Sequence, residues 1–190
     1  MYEKYTTDAI VIAAYEHGEH DKVFALYTRD FGLVRARASA VRKMESRMRS
    51  VLSLFSCASV SLIRGARGWR VAGAAAVSYI QLPPEGVHAY SRVTQLVLRL
   101  VRGEEANPYL FDVLWGARSA CAEKDAVRIA AAELLCVARV LYALGYLSPQ
   151  ALTSALFAHA QYGEEDLSAV ERTRKDVLVS VNGAIAESQL

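Results

Sequence analysis

The chain has 190 residues, 53% of them hydrophobic and 9% aromatic, enough for one large domain or two small ones with packed cores, and not the make-up of a disordered polyelectrolyte. Its 22 basic and 20 acidic residues leave a formal net charge of +2, so any attraction to a polyanion must come from clustering rather than from bulk charge. Three widely spaced cysteines, Cys57, Cys121 and Cys136, form no CxxC pair; they point away from a zinc ribbon or a disulfide framework and towards small buried hydrophobes.

Charges at Glu3, Lys4 and Asp8 interrupt the first residues, so a secretory leader is not expected. The first 80 residues then read as strands: 7–15, 23–28, 32–39, 51–63 and 69–80 are rich in Val, Ile, Tyr and Thr. Turn signals separate them at Gly18, at Asp30 to Gly32 and at Gly65 to Gly68. Five short strands within this span point to a small closed barrel, OB-like or SH3-like, because an open sheet of that size leaves unpaired edges and an uncovered apolar face.

After Pro83-Pro84 the period becomes helical. Tyr90, Val93, Val97, Leu100 and Val101 define a helix over 87–102, and Asn107-Pro108 supplies an N-cap and a first-turn proline for a second, ending near 122. The segment 125–144 is apolar nearly all round and reads as the centre of a bundle, ended by Gly145. Ser148-Pro149 repeats the cap-and-proline signature for a helix to about 159, and Ser168 with Glu171 makes a capping box for a last helix. Gly145, Ser148, Pro149, Gln150 and His159 break the uncharged stretch 140–163, so no transmembrane helix is expected and the expected location is the cytoplasm. The architecture expected is α+β with two domains: a barrel over 1–80 and an all-α domain over 85–190.

Charge divides at the same boundary. Residues 1–80 carry 12 basic and 7 acidic side chains, whereas 81–190 carry 10 and 13. Within 35–49 lie Arg35, Arg37, Arg42, Lys43, Arg47 and Arg49 against a single acid, Glu45. On a strand Arg35 and Arg37 share one face while Val34, Ala36 and Ala38 take the other; the following four fall on a loop or short helical turn. Such crowded cations repel one another until an anion binds, and a phosphate backbone is the natural partner. Base-stacking platforms would complement them, and Tyr15, Tyr27, Phe31 and Trp69 are the candidates. Trp69, flanked by Arg67 and Arg70 next to Gly65 and Gly68, is expected at an exposed hairpin tip.

Other chemistry lacks a signature. His17 and His20 sit in a turn without further ligands at metal spacing, neither GARGW nor VNGA is a phosphate-binding GxxxxGK[ST] loop, and there is no GxSxG elbow. The acidic runs Glu104-Glu105 and Glu164 to Asp166 stand at helix starts, where the helix dipole favours them.

The order of these features resembles the RecO family of recombination mediators. The resemblance rests on Gly18, Glu19 and Asp21 in the first turn, on Thr28, Arg29 and Gly32, and on Arg35, Arg42, Lys43, Ser46, Arg47, Leu52 and Phe55; NPYLFDVLW and LLCVARVLYALGY are similar to helical landmarks of the family. It implies an N-terminal five-stranded OB-fold barrel and a C-terminal helical domain in a non-enzymatic, nucleoid-associated protein of recombinational DNA repair. Such a protein binds single- and double-stranded DNA, anneals complementary strands, and works with RecR and the acidic tail of single-stranded-DNA-binding protein to help load RecA. The DNA-binding residues expected are Arg35, Arg37, Arg42, Lys43, Arg47, Arg49, Arg67 and Trp69; in the helical domain Arg92, Arg99 and Arg102, beside apolar stripe residues, are candidates for receiving an acidic tail, with solvated helix-face charges the favoured reading. The chain departs from the family at Ser39-Ala40, where Lys-Gly is common, and at Ser53-Leu54-Phe55, where Gln-Pro-Phe is common. It is short for the family and lacks the four cysteines that many members carry after the LGY helix, so no zinc and no cofactor are expected. Two other readings are an RNA-binding OB-fold adaptor and a structural adaptor whose basic loop grips an acidic protein.

Overall fold

The computed structural model describes residues 3–148, 152 and 154–187. The chain divides into two compact units, Met1–Ile80 with Arg102–Pro108, and Gln81–Val101 with Tyr109–Leu190.

The first unit is a closed barrel of five strands, β1 (Lys4–His17), β2 (Asp21–Thr28), β3 (Gly32–Ala38), β4 (Cys57–Gly65) and β5 (Gly68–Ser78), in the order β1-β2-β3-β5-β4. The long β1 makes closure possible because it serves two neighbours. Its first half pairs with β4 from Lys4↔Ile63 to Ile10↔Cys57, and its second half with β2 from Ala9↔Thr28 to His17↔Asp21. Between Val11 and Ala13 the register with β2 shifts by one residue, a bulge that bends the strand around the barrel corner. At that corner Val11 donates to the Ser56 carbonyl at 3.0 Å and accepts from the Phe55 N–H at 2.8 Å. A short parallel pairing, Ala36↔Trp69 and Arg37↔Arg70, joins β3 to β5 and seals the ring. Alternation fills the interior with Val11, Phe24, Leu26, Val34, Ala36, Val60, Leu62 and Val71. This is the OB-fold topology, followed by an all-α unit.

The fourth strand begins at Cys57, later than the run 51–63 suggests. Val51 belongs instead to a one-turn helix, α1 (Met48–Val51), and Phe55 takes a left-handed backbone conformation (φ 64°) that no strand can pass through. Gly32 also has positive φ (64°), and the segment 102–108 approaches it so closely that a Cβ would stand 2.1 Å from the Glu105 carbonyl oxygen. Arg64 pairs with Glu104 of the same segment at 3.4 Å.

The second unit contains α2 (Pro84–Leu100), α3 (Pro108–Ala120), α4 (Ala126–Ala143), a 3₁₀ turn (Ser154–Phe157), α5 (Glu164–Arg172) and α6 (Arg174–Glu187). The apolar α4 is its centre, with α2, α5 and α6 packed around it. Asp125 caps α4 by accepting the Val127 N–H at 2.8 Å. Arg139, fully buried on α4, donates to the Leu156 and Gln161 carbonyls, lies 3.7 Å from Asp166 and stacks on Tyr162, tying the segment before α5 to the bundle. Cys121 and Cys136 are buried here and Cys57 in the barrel; none of the three forms a disulfide.

Two sequence expectations change in this unit. Ser168 lies inside α5 rather than at a helix start, and the N-terminal bond is made one turn earlier, where the Gly163 N–H donates to Asp166 at 2.9 Å. The three acids 164–166 fill the first turn, where the dipole favours them, and a break at Thr173 divides the expected last helix in two. Pro149, half of the expected Ser148-Pro149 start, lies outside the described residues; between it and Ala160 the described helical structure is the 3₁₀ turn. No helix among the described residues is long and apolar enough to cross a membrane.

Gly32 supplies a test of the barrel. Gly32→Ala adds left-handed strain and a backbone clash, an expected loss of roughly 2–4 kcal/mol that urea unfolding would register as a lowered midpoint. An unchanged midpoint would show that the 102–108 segment does not pack where it is placed.

Candidate nucleic-acid interface

Strand alternation decides where the basic residues go. On β3, Val34, Ala36 and Ala38 are buried, so Arg35 and Arg37 face outwards. The register sets Arg37 beside Arg70 of β5 and opposite Val23 of β2, which in turn lies opposite Tyr15 of β1. Arg35, Arg37, Arg70 and Tyr15 therefore share the outer face of the barrel. The Arg35 guanidinium lies 5.9 Å from the centre of the half-exposed Tyr15 ring, within cation–π range.

The inner face of the β1–β2 hairpin continues past the core. Lys22 follows Phe24 in inward parity and pairs with Glu16. There the chain after β3 folds back and leaves a groove of about 320 Å³, with Lys22, Arg42 and Arg49 around it, Glu16 at its edge, and Phe24, Val41 and Leu52 beneath.

The loop that carries Arg42 to Arg47 is anchored, and Asp21 is the anchor. One carboxylate oxygen accepts the Ala40 N–H at 2.7 Å; the other accepts Arg37 Nε at 2.8 Å and Nη2 at 2.6 Å. Those charge-assisted bonds, first the Ala40 N–H and then the Arg37 guanidinium, hold the Asp21 carboxyl below the usual carboxylate range. The backbone N–H of Arg42 adds a bond to the His20 carbonyl at 3.0 Å, while its guanidinium reaches the Gly18 carbonyl at 3.3 Å and Glu16 at 3.5 Å. Successive turns, Lys43 N–H to Ala40 and Ser46 N–H to Lys43, carry the chain into α1. The spacing of Gly18, Glu19 and Asp21 thus acquires a physical role: a left-handed Gly18 turns the hairpin, and Asp21 captures the following loop. Ala40, which stands where Gly is common in the family, is itself left-handed (φ 54°).

The eight residues expected to bind nucleic acid do not form one patch. Arg35 and Arg37 lie on the outer face and Arg42 and Arg49 at the inner groove, while Lys43 and Arg47 are exposed on the loop and do not line that groove. Arg67 is exposed at the tip of the β4–β5 hairpin. Trp69 is not at an exposed tip. It is 5% exposed, contacts Tyr5 and Phe31 ring to ring, and has Arg64 over it at 5.3 Å. Parity is the reason, since Trp69 and Val71 both point inwards and Arg70 between them points out. Tyr27 is fully buried and Phe31 packs against the core, so of the four candidate platforms Tyr15 has the exposed ring. Sequence reasoning missed Lys22, Arg70 and the anchoring role of Asp21; alternation around Trp69 signals Arg70, whereas Lys22 and Asp21 emerge only from the register. Among the described residues no group of three or more His, Cys, Asp or Glu is placed to hold a metal ion.

Fold and surface together define a class: an OB-fold barrel with a cationic exterior, joined in one chain to an α-helical unit. Residues 1–71 match the family described as "Recombination protein O N terminal". Proteins named "DNA repair protein RecO" are similar over a longer stretch. That of Pelotomaculum thermopropionicum is 34% identical over 140 residues, 72% of this chain and 55% of that protein. That of Syntrophobacter fumaroxidans is 30% identical over 149 residues, 74% of this chain and 57% of that protein, and that of Dehalococcoides mccartyi 32% over 117, 58% and 45%. The chain belongs to the RecO family. It spans about half the length of these curated relatives.

Two substitutions test the anchor. Because the folded-state carboxyl of Asp21 titrates below its unfolded value, its contribution is complete above the unfolded value of about 4 and is lost as pH falls towards the folded one. Asp21→Asn is expected to lower the barrel's melting temperature at neutral pH and to flatten its decline below about pH 4; an unaltered pH profile would release Asp21 from this role. Ala40→Gly removes left-handed strain and is expected to stabilise by about 1 kcal/mol, read as a higher urea midpoint, with destabilisation the contrary result.

Proposed function

We propose that this chain is a non-enzymatic DNA-repair protein whose barrel binds single- and double-stranded DNA by its phosphates. The observation that carries the proposal is the display of Arg35, Arg42, Lys43, Arg47, Arg49, Arg67 and Arg70 as exposed side chains on one small barrel. An anion relieves their mutual repulsion, and each phosphate neutralised releases counterions from the nucleic acid. Family membership supports DNA as the polyanion, since the relatives are named for DNA repair.

Neutralising phosphates on two complementary strands lowers the repulsion that slows their pairing. Annealing by this route needs cations and no nucleotide hydrolysis. In the wider reading the protein assists RecA loading together with RecR, in the cytoplasm and at the nucleoid. The helical unit would then receive the acidic tail of single-stranded-DNA-binding protein. Arg92 is a weak candidate for that role, because its Nε and Nη2 are held by Glu133 at 2.5 and 2.6 Å; Arg99 is exposed on α2, whereas Arg102, also exposed, belongs to the segment grouped with the barrel.

The test is the salt dependence of single-strand binding by the full chain. Affinity is expected to fall steeply with salt, and replacing Arg42, Lys43 and Arg47 with Ala to reduce the logarithmic slope by roughly 0.7 for each phosphate that is no longer neutralised. Absence of binding at low salt would favour the acidic-protein adaptor. A clear preference for RNA over DNA of the same sequence would favour the RNA-binding adaptor.

A further inference from the structure

Two sets of barrel cations are separated by the body of the β1–β2 hairpin. Arg35 and Arg70 stand on its outer side with the Tyr15 ring, in the parity of Val23 and Arg37. Lys22, Arg42 and Arg49 stand on its inner side around the groove, in the parity of Phe24. Residues alternating along a strand point to opposite faces, so the two sets cannot line one surface by way of the strands.

Nor does the hairpin tip offer a cationic bridge. Glu16 and Glu19 project there with side chains 70% and 92% exposed, and Asp21 lies at the start of the return strand. A phosphate backbone passing over the tip from one face to the other would meet the exposed Glu19 carboxylate and two carboxylates already paired with guanidiniums, Glu16 with Arg42 and Asp21 with Arg37, rather than a row of unengaged cations. The faces also differ in chemistry. The outer one offers an exposed aromatic ring beside a guanidinium, suited to stacking a base as well as holding a phosphate. The inner groove has cations at its edge and buried apolar side chains beneath, an arrangement for phosphates alone.

We propose that one barrel holds two nucleic-acid strands at once, one on each side of the β1–β2 hairpin: the outer strand stacks a base on Tyr15, and the inner strand is held by its backbone. The inference rests on the nucleic-acid reading above and adds to it the number of strands bound and the residues that hold each. It gives annealing a physical form, since two strands are brought to one small domain with their charges neutralised separately.

The test uses the full chain and a thymidine oligomer of about six nucleotides, near the short end of the site sizes of OB folds so that one molecule does not cover both faces. Titration calorimetry at low salt is expected to give two oligomers per wild-type chain. Arg35→Ala/Arg70→Ala and Lys22→Ala/Arg49→Ala, all exposed or half-exposed side chains, are each expected to reduce this to one and to slow annealing of complementary strands at least tenfold. In the Lys22→Ala/Arg49→Ala background, Tyr15→Ala is expected to weaken the remaining site roughly 5- to 150-fold, with the salt slope unchanged. One oligomer per wild-type chain, weakened by both double variants alike, would overturn the two-strand proposal and leave a single continuous DNA site. No oligomer or longer strand bound at all would overturn the nucleic-acid reading with it.

Discussion

The Asp21 carboxylate is the interaction on which the cationic surface depends. From the first residue of β2 it reaches across 16 residues to Arg37 and 19 to Ala40, joining the hairpin turn to β3 and to the loop behind it. Without that junction the chain from Ser39 to Arg47 would be a charged loop repelled by its own neighbours. With it, the backbone leaves β3 in a set direction, Arg42 is drawn against Glu16 and the Gly18 carbonyl, and Arg49 arrives at the groove. The same carboxylate neutralises one of the two adjacent cations Arg37 and Arg70, and so permits their proximity across the parallel β3–β5 pair. An acid thus organises a basic surface.

That arrangement gives the barrel two kinds of cation. Arg37 and Arg42 are engaged with carboxylates, whereas Arg35, Lys43, Arg47, Arg49, Arg67 and Arg70 are exposed side chains. A surface of this type attracts a polyanion strongly at low salt without depending on any single ion pair. The helical unit is built on another principle. Its buried charge, Arg139, donates from Nε and Nη1 to the Leu156 and Gln161 carbonyls, turns Nη2 towards Asp166 at 3.7 Å, and so ties the chain between the 3₁₀ turn and α5 to α4.

What was legible in the sequence followed from local periodicity. The alternation RARA on β3 put Arg35 and Arg37 outside, the five strands and the change of period after Pro83-Pro84 were readable, and Asn107-Pro108 and Gly145 marked ends that the helices respect. The glycines beside Trp69 misled by suggesting a tip, although its parity with Val71 two residues on pointed to an inward face. The cap at Ser168 lost to the acids 164–166 because a helix start is settled by the first turn that can satisfy it. The division of one basic run between two faces, the contribution of Lys22, and the partners of Asp21 arise from pairings between β1, β2 and β3, which a single sequence does not print.

The central claim is that the barrel, and not the helical unit, grips DNA. Photo-crosslinking of a single strand containing 4-thiothymidine to the full chain, followed by peptide mapping, addresses it most directly. The account predicts crosslinks on peptides covering Tyr15, Arg35 to Arg49 and Arg70. Crosslinks confined to residues 84–187 would contradict it.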